Sequence, residues 1–342
     1  MATAKKLPSG SWRTRIYVGE ENGKKIYKSF TAATKKESEY LATEYLMNNR
    51  KKNATEIHKS FVPEIVKDYI DVHANALSPS TTRGYTIIYN NQIQMLFHVR
   101  VEDFDATTHQ KWIDDMTKQL SPKSVKNANG LLVAALRYYN VSVDPVRLPQ
   151  KEYKPMTVPT TDEIKKIIEY FQKKGNQNMV IAVYLASAGT LRRGEVCALT
   201  ADDVDRKNNT ITICKAIAID KDQNHVVKTP KNYSSNRTIE LPRFIIEMLP
   251  KNGKIVTANV NHITRMFARA VKNLGMPHYT FHSLRHYSAS IMHAQNIPTQ
   301  YIMERGGWKT DQTLNRIYRN SLDDYKKKFT DQTNDYFSEN LK

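Results

Sequence analysis

Four prolines fall within residues 141–159, at Pro145, Pro149, Pro155 and Pro159. That spacing excludes a helix or a central strand there, because each proline lacks an amide donor and fixes its own φ. The 342-residue chain must then fold as separate bodies joined by a stiff connector. A polar run without periodicity, residues 48–54 (NNRKKNA), reads as a linker and marks a second boundary. The expected domains are residues 1–52, 57–145 and 156–342. Together they predict a multidomain, mainly α chain with small β elements.

In the first segment Trp12, Thr14, Ile16 and Val18 alternate with Arg13, Arg15 and Tyr17, the period of a half-buried strand. Asn22-Gly23 supplies a hairpin turn, a second strand covers 25–30, and Thr34 with Glu37 forms a capping box ahead of a helix over 38–47. This predicts a β-β-β-α module. Its exposed face interleaves Arg13, Arg15 and Lys28 with Tyr17, which suits phosphate contacts and groove insertion by a sheet.

Residues 60–75, 80–97, 106–120 and 122–140 read as a helical bundle, with Ser78-Pro79 and Ser121-Pro122 as helix starts. The last segment reads as a mixed α+β domain. Helices over 161–174, 177–189 and 192–200 lead into one small antiparallel sheet drawn from 210–214, 226–228 and 237–241. Further helices follow over 243–249, 259–274, 282–294, 298–305 and 311–319, with an amphipathic tail helix over about 321–339.

The net charge, 52 Lys+Arg against 34 Asp+Glu, is +18, which favours a polyanionic partner, nucleic acid above all. Hydrophobic residues make up 40% of the chain, enough for real cores. Two cysteines suit a reducing cytoplasm, and neither a leader nor a membrane span is expected. Phosphate-loop, dinucleotide-binding and nucleophile-elbow motifs do not occur, and His and Cys show no ligand spacing. No metal and no cofactor are expected.

What stands out is a set of cations and hydroxyls along the last segment. Arg192 precedes Glu195 by three residues, so the acid can brace the guanidinium from one helix face. Lys228 lies in a basic hairpin with Lys231 and Arg237, and His282 and Arg285 are one helical turn apart. Gly306-Gly307-Trp308 comes ten residues before Tyr318. Each piece alone has an ordinary explanation: a surface ion pair, a solvated loop, a packed aromatic.

In this order the residues resemble the tyrosine recombinase family of phage-integrase type, site-specific DNA recombinases. The resemblance covers Arg192 with Glu195, Lys228, His282 with Arg285, Gly-Gly-Trp308 and Tyr318. Many members carry a second histidine where Trp308 stands. It implies a catalytic set of Arg192, Lys228, His282, Arg285, Trp308 and the nucleophile Tyr318, with Glu195 and His286 behind them. The bundle then resembles the family's core-site-binding domain, and the first module the arm-site-binding domain of phage and conjugative-transposon integrases. Arg13, Arg15, Tyr17, Lys28, Arg193, Lys231 and Arg237 are candidate DNA contacts.

The chemistry is consistent with that resemblance. Breaking a phosphodiester without metal needs cations on the non-bridging oxygens, a nucleophile and a proton donor for the leaving 5′ oxygen. The expected product is a 3′-phosphotyrosine that a second 5′ hydroxyl can resolve without ATP. The resemblance further implies core and arm DNA sites, a tetramer of this chain on DNA, an excisionase and a host DNA-bending protein as candidate partners, and a nucleoid-associated protein in a bacterial cytoplasm. A type IB topoisomerase-like relaxer, a Xer-like resolvase or invertase, and a non-catalytic DNA-binding regulator remain alternatives.

Overall fold

A computed structural model describes residues 4–21, 24–150, 157–228, 236–312, 314–315 and 323–340. The chain divides into two compact units, Met1–Lys151 and Glu152–Lys342.

The first unit opens with the strand alternation the sequence predicts. Strands β1 (Lys5–Lys6), β2 (Trp12–Glu21) and β3 (Lys24–Ala32) form an antiparallel sheet in that order. Thr14 and Ile16 are buried against helix α1 (Lys35–Lys59), where Ser38 and Ala42 meet them. The Thr14 and Ser38 hydroxyls lie 2.8 Å apart, and Ser38 also donates to the Phe30 carbonyl at 2.9 Å. Thr34 accepts from the Glu37 amide at 3.2 Å, as the capping pattern predicts. The Asn22-Gly23 turn lies outside the described residues.

The linker expected over 48–54 is instead helical, because α1 runs through it. That segment contains neither proline nor glycine, and its Arg and Lys residues are good helix formers, so local propensity extends the helix where no apolar period announces it.

Helices α2 (Val62–His73), α3 (Pro79–Asn91), α4 (Ala106–Thr117) and α5 (Pro122–Tyr138) build the bundle. Ser78 and Ser121 cap α3 and α5 as predicted, each accepting an amide three residues on. The core is Val62, Val66, Ile93, Trp112, Ile113, Leu132 and Leu136, with Trp112 donating its indole N–H to the Gln92 carbonyl at 3.0 Å. The first part of the proline-rich stretch is not merely a connector. Val141 is buried in this core, with Val143, Val146 and Leu148 packed on it, and Gln110 exchanges hydrogen bonds of 2.8 and 3.2 Å with the Arg147 backbone.

The second unit is organised around α7 (Gln177–Ser187), apolar on all sides and therefore central. Around it pack α6 (Thr161–Lys173), α8 (Arg193–Ala198), α9 (Arg243–Met248), α10 (Val260–Asn273) and α11 (Ser283–Ala294). Helix α12 (Thr299–Gly306) joins α11, and a tail helix, α13 (Asp323–Asn340), follows. The helix expected over 311–319 falls mostly outside the described residues.

The single sheet expected here is two. Strands β4 (Val204–Asp205), β5 (Thr210–Ile213) and β8 (Arg237–Glu240) form one, while β6 (Ala216–Ile219) and β7 (His225–Lys228) form a separate hairpin. The Asp220 carboxylate accepts the Asp222 and Asn224 amides at 2.9 and 2.8 Å and so closes the turn that returns β7 onto β6. No helix among the described residues is long and apolar enough to cross a membrane.

Candidate active site

The site begins where α8 begins. Arg192 sits at the N-cap of α8 in extended conformation, and Glu195, three residues on, reaches back to its amide at 2.8 Å. The same carboxylate takes the Arg192 guanidinium, Nη1 to Oε1 at 2.7 Å. Arg192 spends another donor, Nη2, on the Gly307 carbonyl at 2.8 Å. The i, i+3 spacing therefore does what it promises, with the carboxylate buried to 4% exposure.

A second guanidinium reaches Glu195 from β8. Arg237 donates Nη2 to Oε2 at 2.9 Å and Nη1 to Oε1 at 3.3 Å, and its Nε goes to the Arg305 carbonyl at 2.8 Å. Arg237 is expected among the DNA contacts, but the hydrogen bonds described for its Nη1, Nη2 and Nε run to Glu195 and the Arg305 carbonyl inside the domain. The overlooked signal is phase: Arg237 alternates in step with Ile239 and Leu241, both buried.

Arg285, on α11, is 1% exposed. It donates to the Thr190 and Gly306 carbonyls, and its guanidinium lies 3.9 Å from the centroid of the Trp308 ring. Trp308 thus offers Arg285 its π face, a cation–π contact. Gly306 makes this possible, because a Cβ there would lie 1.9 Å from the ring. Gly307 ends α12 in the left-handed region at φ 64°, turning the chain back toward Trp308. The carbonyls of Thr190, Gly306 and Gly307 are functional groups that a search over side chains passes by.

Three guanidiniums thus share the field of one carboxylate. Glu195 stays ionised: burial pushes its pKa up, but the hydrogen bonds and charges of Arg237 and Arg192 outweigh that and hold it below the usual carboxylate range. The positive charges left over disfavour any further cation. His282, at the N-terminal end of α11, keeps an exposed edge, yet the protein crowding it, then Arg285 and Arg192, push its imidazole down to about 4. His286 stacks edge-on against it at 4.6 Å and is pushed down to about 3, first by burial and then by His282 and Arg285. Both rings are neutral at pH 7, so His282 can accept a proton. An anion seated among the guanidiniums would raise that affinity.

Lys228 is half-buried on β7, paired with Ala216 of β6. Its hairpin is fixed to α8 by close approach: a Cβ on Gly194 would lie 2.5 Å from the Ile217 carbonyl oxygen. Arg193 is not a free surface charge, since it is half-buried and donates to the Thr264 hydroxyl of α10. Lys231 and Tyr318 lie outside the described residues.

In the first unit Arg13, Arg15 and Tyr17 are exposed on one face of the sheet as expected. Lys28 is not on that face. It stands opposite Ile16, on the side that carries α1, with its ammonium 4.0 Å from the centroid of Tyr45. Tyr27 takes its place beside Tyr17, the rings 5.7 Å apart, and Arg15 lies 4.9 Å from the Tyr27 ring.

The chain is similar to known proteins over most of its length. Residues 158–324 match the model of the phage integrase family. A XerC-like tyrosine recombinase of Caldanaerobacter subterraneus subsp. tengcongensis is 24% identical over an alignment covering 95% of this chain and 96% of that protein. The integrase of Staphylococcus phage L54a is 23% identical, covering 80% of this chain and 91% of its own. Among solved structures, the Tn1549 transposon integrase bound to circular-intermediate DNA has a TM-score of 0.65 at 18% identity, covering 80% of this chain and all of that one. A lambda integrase tetramer on a Holliday junction has a TM-score of 0.60 at 15% identity, covering 93% and 95%. Residues 158–324 thus carry a phage integrase family domain, and the chain is a site-specific DNA recombinase of the tyrosine type.

Proposed function

We propose that this recombinase integrates and excises a mobile element, with Tyr318 as nucleophile and Arg192, Lys228, His282, Arg285 and Trp308 as its catalytic set. The observation that carries the reading is the cluster in which Arg192 and Arg285 are both tied to the backbone of residues 306–307. Planar guanidiniums fixed in this way offer forked donors to two non-bridging phosphate oxygens.

The reaction follows from those parts. The Tyr318 oxygen attacks the scissile phosphorus and forms a P–O bond as the P–O5′ bond breaks. His282, neutral beforehand, accepts the phenolic proton, and Lys228 donates a proton to the departing 5′ oxygen. Arg192 and Arg285 neutralise the growing charge on the phosphorus-bound oxygens. Trp308 holds Arg285 by its ring face, and its indole N–H is a further donor.

The finer architecture is a proposal on the same footing. The sheet module acts as an arm-site reader through Arg13, Arg15, Tyr17 and Tyr27, the bundle grips the core site, and four copies exchange strands on two duplexes. The Tn1549 and lambda complexes, determined on circular-intermediate DNA and on a Holliday junction, support that reading. An excisionase and a host bending protein would set direction.

The test is a nicked suicide duplex carrying the element end, incubated with wild type and Tyr318→Phe in EDTA. A denaturant-resistant adduct with wild type alone supports the proposal. An adduct with both moves the nucleophile elsewhere, and none with either, despite tight binding, favours a non-catalytic regulator.

A further inference from the structure

We propose that Arg237 is a positioning residue for strand cleavage, one that locks Glu195 and the residue 305 backbone so that Arg192 and Arg285 meet the phosphate already oriented. The inference rests on reading those two arginines as the phosphate-binding groups.

The argument is a count of donors and acceptors. Glu195 Oε1 accepts from Arg192 Nη1 and Arg237 Nη1, and Oε2 accepts from the Arg192 amide and Arg237 Nη2. Each carboxylate oxygen thus holds one donor from Arg192 and one from Arg237. A carboxylate fixed on both edges cannot rotate, so the guanidinium it holds cannot rotate either. With Arg237 gone, half of those donors go, and among the described residues Glu195 is left buried with Arg192 as its ion-pair partner.

The third donor of Arg237 extends the lock to the other arginine. Its Nε binds the Arg305 carbonyl, which also lies 3.1 Å from the Thr190 hydroxyl, whose proton it shares with the Gly189 carbonyl at 2.5 Å. Thr190 and Gly306, the two residues that supply Arg285 with carbonyls, are therefore tied through the Arg305 carbonyl or adjoin it in sequence. Thr190 itself holds φ 59°, a left-handed conformation costly for a β-branched residue, and the bonds around it maintain that conformation. Arg305 adds a clamp of its own, donating Nη2 to the Ala188 and Glu240 carbonyls at 3.1 and 3.0 Å. Arg237 is thus joined, through Glu195 and through the residue 305 carbonyl, to both arginines assigned to the phosphate.

The experiment measures single-turnover cleavage of a suicide duplex by wild type, Arg237→Gln, Arg237→Lys and Arg192→Ala. Each protein is tested on the natural scissile phosphate and on a methylphosphonate, which carries no negative charge there. Arg237→Gln should cleave the natural phosphate about 10- to 100-fold more slowly, with duplex affinity within about threefold because most affinity comes from phosphates elsewhere. Arg237→Lys should recover part of the rate, an ammonium restoring charge but not the fork. On the methylphosphonate, where little charge needs neutralising, the deficit of Arg237→Gln relative to wild type should shrink. Wild-type rates for Arg237→Gln, or an equal deficit on both substrates, would overturn the proposal. If Arg237→Gln fails to fold, Arg237→Lys on the two substrates makes the same comparison. Undiminished cleavage by Arg192→Ala would instead overturn the underlying reading of the site.

Discussion

The two units use the same cation in opposite ways. On the sheet of the first unit Arg13 and Arg15 are exposed, and Arg15 is held by little more than the face of Tyr27. In the second unit Arg237 and Arg285 are buried, with carboxylate, carbonyl or ring partners around their guanidiniums. An exposed guanidinium contributes attraction and adapts to whatever phosphate arrives. A buried one has already given up its rotamer freedom and its water, so it contributes geometry. The first arrangement suits binding along a duplex, the second suits one phosphate in one transition state.

The sharpest way to break the contrast is Arg285→Ala. It should lower cleavage by about 10³-fold or more, as loss of a main charge-stabilising donor does, while duplex affinity stays within about tenfold. Gel-shift titration beside adduct formation measures both. Loss of affinity as large as the loss of cleavage would erase the distinction between binding and geometry.

Gly306→Ala tests the same site through packing. A methyl placed 1.9 Å from the Trp308 ring must displace the ring or the backbone, an overpacking change that costs about 1–3 kcal/mol. The ring's shift also removes the face on which Arg285 rests. Thermal unfolding should show lower stability, and cleavage should fall more than affinity. Unchanged cleavage would mean that the ring is not what aligns Arg285.

Acid sensitivity should follow burial as well. The folded protein resists protonating His282 until about 4 and His286 until about 3, whereas a free histidine takes a proton near 6.5. Above 6.5 both states are neutral and neither ring makes stability depend on pH. As pH falls from about 6.5 toward 3, the unfolded chain binds protons that the folded one refuses, so stability falls. Glu195, held low by its arginines, loses its contribution in the same direction, beginning in the ordinary glutamate range, where the unfolded chain takes up the proton, and ending as pH passes its own lowered value. Urea titrations from pH 7 to 4.5 should therefore be flatter for His286→Asn than for wild type. Equal slopes would remove His286 from the account.

Much of this was legible in the sequence for a physical reason: helix spacing and strand phase are local. The Arg192–Glu195 brace is an i, i+3 pair, the Ser-Pro caps are adjacent residues, and the Thr14, Ile16 alternation is read in four positions. What stayed hidden was long-range or made of backbone. Arg237 meets Glu195 across 42 positions, and nothing near Arg237 announces it except its phase with Ile239 and Leu241. The carbonyls that hold Arg285 and Arg192 have no side-chain signature at all. Composition groups Lys28 with Arg13 and Arg15, but a strand's phase must be counted across the hairpin, and the partner Ile16 sets Lys28 on the α1 face. The helical run over 48–54 has propensity without an apolar period and so leaves no amphipathic mark in the sequence.

The smallest effect is expected on the exposed side of the comparison. Arg15→Ala removes one cation from the sheet face and leaves Tyr17 and Tyr27 packed on each other. If Arg15 neutralises one arm-site phosphate, the log–log salt slope of arm-site binding should decrease by about 0.9, with a severalfold loss of affinity at moderate salt. Cleavage of a core-only suicide duplex should not change, because Arg15 lies on the sheet, outside both the bundle that grips the core site and the guanidinium cluster. Tyr17→Ala should weaken arm-site binding with no change in slope, since it removes contact area without charge. A matching drop in core cleavage for either variant would show that the sheet acts on the chemistry, and the division between adaptable and fixed arginines would then have to be drawn elsewhere.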